Sequence, residues 1–146
     1  MVDIEIRLAT LDDAKELFTM LVQIQDEFPV KSINPGKAYN MVRTVIKEGV
    51  VFLAIIDGEI VGSLGLMAAP WWFSDEIFLR DFWTVVKKAR RNTRAITLLF
   101  EAAMAFSDET NVPLVLGLFS DQKRRLKSRL YRQRFKPIGE FFTYGM

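Results

Sequence analysis

Apolar and polar residues alternate at the start of the chain, with Val2, Ile4, Ile6 and Leu8 interleaved with Asp3, Glu5 and Arg7. A period of two predicts a half-buried strand. Thr10 with Asp13 three residues on has the pattern of a capping box. Ala14, Leu17, Phe18, Leu21, Val22 and Ile24 then recur at helical spacing up to about Gln25. Phe28-Pro29 predicts the end of that helix, because proline disfavours helical backbone in the residue before it. Asn34-Pro35 reads as an N-cap and first helical residue. Ala38, Met41, Val42, Val45 and Ile46 mark the face of this second helix, which closes near Gly49. Val50 to Ile56 is continuously apolar, Asp57-Gly58 is a two-residue hairpin signal, and Ile60 to Ala69 supplies the returning strand. Gly62 and Gly65 within that strand indicate close approach by a ligand or side chain, or a bulge.

Pro70-Trp71-Trp72-Phe73-Ser74 interrupts the pattern, and a fourth strand follows from about Asp75 to Val86. It runs into the cations Lys87, Lys88, Arg90, Arg91 and Arg94, after which helical spacing holds from about Thr93 to Ser107. A buried strand, a basic turn and a helix opening in that order make an anion site. The helix N-terminus contributes unpaired N–H groups and the positive end of its dipole. Val112 to Leu118 reads as a short strand, and Ser120 or Asp121 as the cap of a basic helix running to about Gln133. Phe135 to Tyr144 holds Pro137 and Gly139, then alternates through Glu140, Phe141, Phe142, Thr143 and Tyr144 as a last strand. The predicted order is β-α-α-β-β-β-α-β-α-β, a single mixed-sheet α/β domain over residues 1–146.

Composition narrows the chemistry. Half of the 146 residues are apolar and 12% aromatic, which excludes a disordered chain. No apolar run approaches the roughly 20 residues that span a bilayer, and no signal peptide is read at the start. The expectation is a cytoplasmic protein without a membrane partner. There is no Cys and no His, which removes disulfides, thiol nucleophiles, Ser-His-Asp catalysis and ordinary zinc sites. A general acid or base must then be Asp, Glu, Tyr, Lys or solvent. The net charge is only +2, but it is unevenly placed. Asp3, Glu5, Asp12, Asp13, Glu16, Asp26 and Glu27 crowd the first 28 residues, whereas Lys123, Arg124, Arg125, Lys127, Arg129, Arg132, Arg134 and Lys136 crowd residues 121–136. Such polarity suits an anionic ligand, nucleic acid, or self-association between unlike faces.

The element order, with its basic turn after the fourth strand, resembles the GNAT superfamily of acyl-CoA-dependent N-acyltransferases over nearly the whole chain. The family signature is an aliphatic strand end, then Arg/Gln-x-x-Gly-x-Gly/Ala, with helical leucines close behind. Val85 fits the aliphatic position, Arg90-Arg91-Asn92-Thr93-Arg94-Ala95 the turn, and Leu98 and Leu99 the leucines. Arg90 and Ala95 match; Thr93 stands where the first Gly is usual. The resemblance implies an α/β (α+β) fold with a mixed, mostly antiparallel sheet of six to seven strands, splayed into a V between the fourth and fifth. It implies acetyl-CoA as cosubstrate and no metal. The backbone of Arg91 to Ala95 would hold the pyrophosphate, the Val85 backbone would pair with the pantetheine arm, and cations of the turn would add charge-assisted bonds. Glycine lets successive amides face a pyrophosphate with no Cβ between them. Thr93 offers an N–H and a hydroxyl, but its β-branch restricts the loop.

The segment Leu130-Tyr131-Arg132-Gln133-Arg134-Phe135 resembles a second family signature, in which a Tyr precedes a Gly-Phe pair. Here the Gly before Phe135 is absent and the spacing is one residue short. If the shortening lies between Tyr131 and Phe135, Tyr131 keeps the general-acid place beside the CoA sulfur; otherwise Leu130 falls there. In such enzymes an amine attacks the thioester directly, so the protein orients two substrates and removes a proton. The candidate bases are Asp75, Glu76 and Asp81. In an unbroken strand Asp81 shares a face with Ile77, Leu79, Trp83 and Val85, where burial would raise its pKa. The plainer alternative for Asp81 is a structural pair with Arg80 or Arg7. Glu76, at the strand's mouth, has an equal claim by family position.

Pro70-Trp71-Trp72-Phe73 is a wall of the acceptor pocket, a contact surface, or a set of rings folded into the core. By analogy Phe28 to Tyr39 would cover the acceptor side. In the basic helix, charges surround Leu126 and Leu130, which reads first as a solvated face. A partner for the 3′-phosphate of CoA or an anionic acceptor comes next, and nucleic acid third, since no nucleic-acid-binding signature is present. The leading reading is acetyl transfer from acetyl-CoA to a primary amine on a small molecule or peptide. A non-catalytic GNAT-fold CoA-binding protein and a basic interaction module are the alternatives. Family habit and charge polarity also suggest a homodimer.

Overall fold

A computed structural model describes residues 2–28, 30, 32–118 and 124–145. The elements are β1 (Glu5–Leu8), α1 (Ala14–Gln23), α2 (Pro35–Glu48), β2 (Val50–Ile56), β3 (Glu59–Pro70), β4 (Ile77–Val86), α3 (Ala95–Thr110), β5 (Leu114–Val115) and α4 (Arg124–Arg132), with short 3-10 turns at 11–13, 25–27 and 88–90. Local chemistry accounts for most of their ends. The Asp13 carboxylate accepts from the Thr10 N–H at 2.8 Å and caps the turn that leads into α1. Asn34 Oδ1 accepts from the Lys37 N–H at 3.1 Å, with Pro35 opening α2. Asp57 (φ 51°) and Gly58 (φ 77°) both take the left-handed backbone that a tight hairpin between β2 and β3 demands. Asn111, at φ 57°, ends α3 in the same way. The stop at Pro29 and the cap at Ser120 or Asp121 lie outside the described residues, as does the Lys123 cation.

The five strands lie in the order β1-β2-β3-β4-β5, antiparallel except for the parallel β4–β5 pair. Each face of the sheet carries a core. On one, α1 and α2 cover Val51, Leu53, Ile55, Ile60, Trp83 and Val85; on the other, α3 covers Phe52, Ala54, Leu64, Leu66, Leu79 and Val86.

Leu79 and Trp83 face opposite cores, although an unbroken strand would place them together. Gly65 pairs with Trp83 but Leu66 pairs with Asp81, so Phe82 is an extra residue in β4. This β-bulge reverses the inside-outside alternation beyond it. The expected shared face of Asp81, Trp83 and Val85 is thereby corrected: Asp81 stays with Leu79 on the α3 side, and Trp83 turns to the α1/α2 side. The indole fills the space over Gly65, where a Cβ would lie 2.6 Å from two of its ring carbons. Its Nε1–H donates to Ser63 Oγ at 2.9 Å, and that hydroxyl donates to the Phe52 carbonyl at 2.9 Å. The glycine thus serves a side chain and borders a bulge, two of the three outcomes its position allowed.

The sheet has five strands among the described residues, below the six to seven expected. Residues 136–145 form neither strand nor helix, and Ile138, Phe141, Phe142 and Tyr144 are exposed. Pro137 has no N–H for a ladder, and β5 is only two residues long, so little edge is offered for a further strand. β5 pairs with β4 only at Leu79↔Leu114 and Arg80↔Val115. From Phe82 to Val86, β4 has a strand partner on the β3 side alone among the described residues. The described β4–β5 pairing thus ends at Arg80, the point from which the expected splay would run.

Candidate active site

Asp81 stands where β4 and β5 part. One carboxylate oxygen accepts from the Gly117 N–H at 3.0 Å, just past β5, and the other from Thr84 Oγ at 2.9 Å. Residues three apart in a regular strand point to opposite faces; the bulge at Phe82 is what lets Thr84 reach Asp81. Burial pushes the Asp81 pKa above its usual range, and the bonds from Gly117 and Thr84 only partly oppose this. No arginine among the described residues forms a salt bridge with it, though the Arg80 charge acts on it weakly. Arg7 forks onto Asp13, with both contacts at 2.9 Å, and the Arg80 guanidinium lies 5.1 Å from the Phe82 ring centroid.

Tyr131 reaches the same cluster from α4. Its ring packs edge-on against Phe100, with centroids 5.0 Å apart, while Phe100 also meets Phe135 at 5.0 Å. Burial first and the Asp81 charge second push the phenol pKa far up, and a Thr84 hydrogen bond opposes them. The phenol is therefore protonated throughout the physiological range, next to a carboxyl group whose ionisation it feels. Of the sequence candidates, the fold brings Asp81 and Tyr131 together through Thr84. Glu76 is exposed just before β4, five residues from Asp81, or about 17 Å along an extended strand. Asp75 is likewise exposed, and neither belongs to the cluster.

The other end of the splay is the basic turn. Val85 is 7% exposed with its side chain in the α1/α2 core, leaving its backbone for any edge partner. Lys88–Arg90 form a 3-10 turn, and α3 opens at Ala95, two residues later than the spacing predicted. The first bond into α3 runs from the Leu98 N–H to the Arg94 carbonyl at 2.9 Å, so the amides of Ala95, Ile96 and Thr97 precede the helical ladder. Thr93 acts within this turn. Its hydroxyl donates to the Arg90 carbonyl at 2.6 Å and accepts from the Ala95 N–H at 3.3 Å. A glycine would leave that amide to a ligand. Asn92 and Arg94 are exposed, and Arg90 is half-buried with its N–H on the Lys87 carbonyl at 2.9 Å.

Three of the turn's five cations, Lys87, Lys88 and Arg91, are engaged elsewhere. Arg91 Nε donates to the Val86 carbonyl at 2.9 Å, and its two terminal nitrogens fork onto Glu27, one at 2.8 Å. Lys127 Nζ of α4 reaches the same carboxylate at 3.1 Å. Glu27 is only 5% exposed, and these partners, Arg91 first, hold its pKa down at about 2 against the opposing effect of burial. Lys88 meets Asp26 at 3.1 Å, and Lys87 pairs with Glu59. The acidic start and the basic end of the chain thus meet within one molecule at Glu27 and Lys127. Sequence reasoning missed Thr84, Glu27 and Lys127 in these roles. Thr84 needed the bulge, and Glu27 sits 64 residues from Arg91 and 100 from Lys127. Just past α4, Arg134 approaches Glu101 at 3.4 Å.

The aromatic interruption divides in two. Trp71 stacks on Phe78 at 4.1 Å, while Trp72 is 94% exposed at the tip of the β3–β4 connection.

No family model and no curated protein matches the sequence. Solved structures do. A possible acetyltransferase from Clostridium difficile 630 is 15% identical, with a TM-score of 0.75 over 100% of this chain and 99% of its own. A ribosomal-protein-alanine N-acetyltransferase from Brucella melitensis biovar Abortus 2308 is 18% identical, with a TM-score of 0.73 over 99% of this chain and 98% of its own. An aminoglycoside N-acetyltransferase solved in complex with CoA is 12% identical, with a TM-score of 0.74 over 100% of this chain and 96% of its own. With its mostly antiparallel sheet, the parallel β4–β5 pair and the basic turn that opens α3, this chain has the GNAT fold.

Proposed function

We propose that this protein is an N-acetyltransferase that moves an acetyl group from acetyl-CoA to a primary amine of a small molecule or peptide. The observation that carries the reading is the Asp81–Thr84–Tyr131 cluster at the vertex of the splay, with α3's first turn at its open end. An extended thioester with an anion at one end would run along β4 from Asp81 to Val86, five residues or about 17 Å of strand, toward the basic turn. The fit is incomplete at the turn, where Thr93 Oγ already takes the Ala95 N–H. CoA bound to a neighbour of the same fold supports the choice of cosubstrate.

The roles follow from charge and burial. The splay orients the thioester along β4, with the Arg91 to Ala95 backbone on the pyrophosphate and Lys or Arg nearby. Asp81, ionised, accepts a proton from the amine directly or through one water as its nitrogen bonds to the carbonyl carbon. Its raised pKa makes it a stronger base than an exposed aspartate. Thr84 and the Gly117 N–H fix the carboxylate's orientation. When the C–S bond breaks, Tyr131 gives its proton to the departing thiolate, and solvent restores it. No role is assigned to Glu76. A second reading, a non-catalytic protein of this fold that binds CoA only weakly, is favoured by Thr93 capping the Ala95 N–H and by Arg91 being turned to Glu27.

The test is thiol release from acetyl-CoA across a varied panel of primary amines, with Tyr131→Phe as the companion variant. Amine-dependent release that falls at least tenfold in the variant is expected. CoA binding with no release from any amine would favour the second reading.

A further inference from the structure

The Glu27 triad has the form of an anion site that is already filled. Arg91 belongs to the turn before α3, which follows β4; Lys127 belongs to α4, which follows β5. The two cations therefore come from elements that follow different strands, and they converge on one carboxylate. An arginine fork on two oxygens with a lysine on one of them is equally the arrangement that binds phosphate. Glu27 belongs to neither wall. It sits in the 25–27 turn after α1, at the start of the connection to α2. Its neighbour Asp26 holds Lys88 of the same basic turn at 3.1 Å, so the acidic turn is docked on the anion-binding turn through two pairs.

We infer that Arg91 and Lys127 form a diphosphate site whose resting occupant is the Glu27 carboxylate, and that a phosphate-bearing ligand enters by displacing it. Displacement exchanges one anion for another, so the cations stay paired throughout. It also frees the 25–27 turn from the basic turn and from α4. Loading the phosphate site is in this way coupled to release of the 25–27 turn. The inference rests on the acetyl-CoA reading only for the name of the ligand. The anion site itself is defined by the Arg91 and Lys127 contacts.

The test is calorimetric titration of wild type and Glu27→Gln with inorganic pyrophosphate and, separately, with CoA at fixed ionic strength. The variant is expected to bind pyrophosphate at least tenfold more tightly. Unchanged or weaker pyrophosphate binding overturns the inference, and if wild type still binds CoA the acetyl-CoA reading stands. Tighter pyrophosphate binding without CoA binding in either protein upholds the anion site and sinks the acetyl-CoA reading. Should Glu27→Gln fail to fold, amide hydrogen exchange on wild type decides. The Glu27 and Phe28 amides donate to Ile24 and Gln25 at 3.2 and 3.0 Å. Saturating pyrophosphate is expected to speed their exchange, and unchanged or slower exchange overturns the inference.

Discussion

Thr93→Ala separates two functions of one hydroxyl with opposite signs. In the folded protein Thr93 Oγ takes the Ala95 N–H at 3.3 Å and donates to the Arg90 carbonyl at 2.6 Å, so it serves as a cap for α3 in place of the silent Arg94 side chain. Losing a cap of this kind costs about 1 kcal/mol, equivalent to a fall in Tm of roughly 2–4 °C for a chain of this length. The same substitution returns the Ala95 N–H to the anion site. One hydrogen bond to a charged phosphate contributes about 1.5 kcal/mol, or roughly tenfold in affinity. Thr93→Ala should therefore be less stable and bind CoA more tightly. Urea unfolding measures the first effect, and calorimetric titration with CoA the second. A loss of both stability and affinity would refute the reasoning, because Thr93 would then be a ligand to the cosubstrate. A glycine at this position should tighten binding further, as it also removes the β-branch.

Asp81→Asn should lower turnover by about 10²–10⁴-fold while raising thermal stability at neutral pH. Burial raises the Asp81 pKa in the folded state, so the fold favours the neutral acid and loses stability as pH rises through that raised pKa. The same shift places the acid limb of the wild-type pH–rate profile above the usual aspartate range, and the limb should vanish in the variant. Glu27 has the opposite sign. Held near 2 against an ordinary 4.5, it contributes stability above about pH 4.5 that is lost as pH falls toward 2. Its full shift corresponds to roughly 3 kcal/mol; Arg91 and Lys127 are 34% and 24% exposed, so about half of that is expected from the difference in acid melts between wild type and Glu27→Gln. Gly65→Ala should destabilise by about 1–3 kcal/mol in denaturant unfolding, with a shift in Trp83 fluorescence, because its new methyl would meet the indole. An unchanged midpoint would mean that Trp83 is not seated over Gly65.

The sequence was most informative where structure follows from neighbouring residues. Asp57-Gly58, Asn34-Pro35 and the Thr10–Asp13 box each name a turn or cap through contacts within four residues, and each is present. The strand, basic turn and helix from Ile77 to Thr110 were legible for the same reason. The bulge was not. An extra residue in β4 is defined only by the register of β3, and it moved Trp83 and Val85 to the face opposite Asp81. The Thr84 contact depends on that shift and was invisible in consequence. The Glu27 clamp joins three separate elements, and the uneven charge along the chain held its ingredients without its geometry. Phe135 to Tyr144 alternates like a strand, but alternation cannot supply a sheet edge, and none receives it among the described residues.

The central claim is that the β4–β5 splay and the turn before α3 hold acetyl-CoA. Calorimetric titration of the wild-type protein with acetyl-CoA tests it most directly. Saturable one-to-one binding that weakens with added inorganic pyrophosphate is expected. No heat of binding at near-millimolar acetyl-CoA, from a protein whose melt shows it folded, would contradict it.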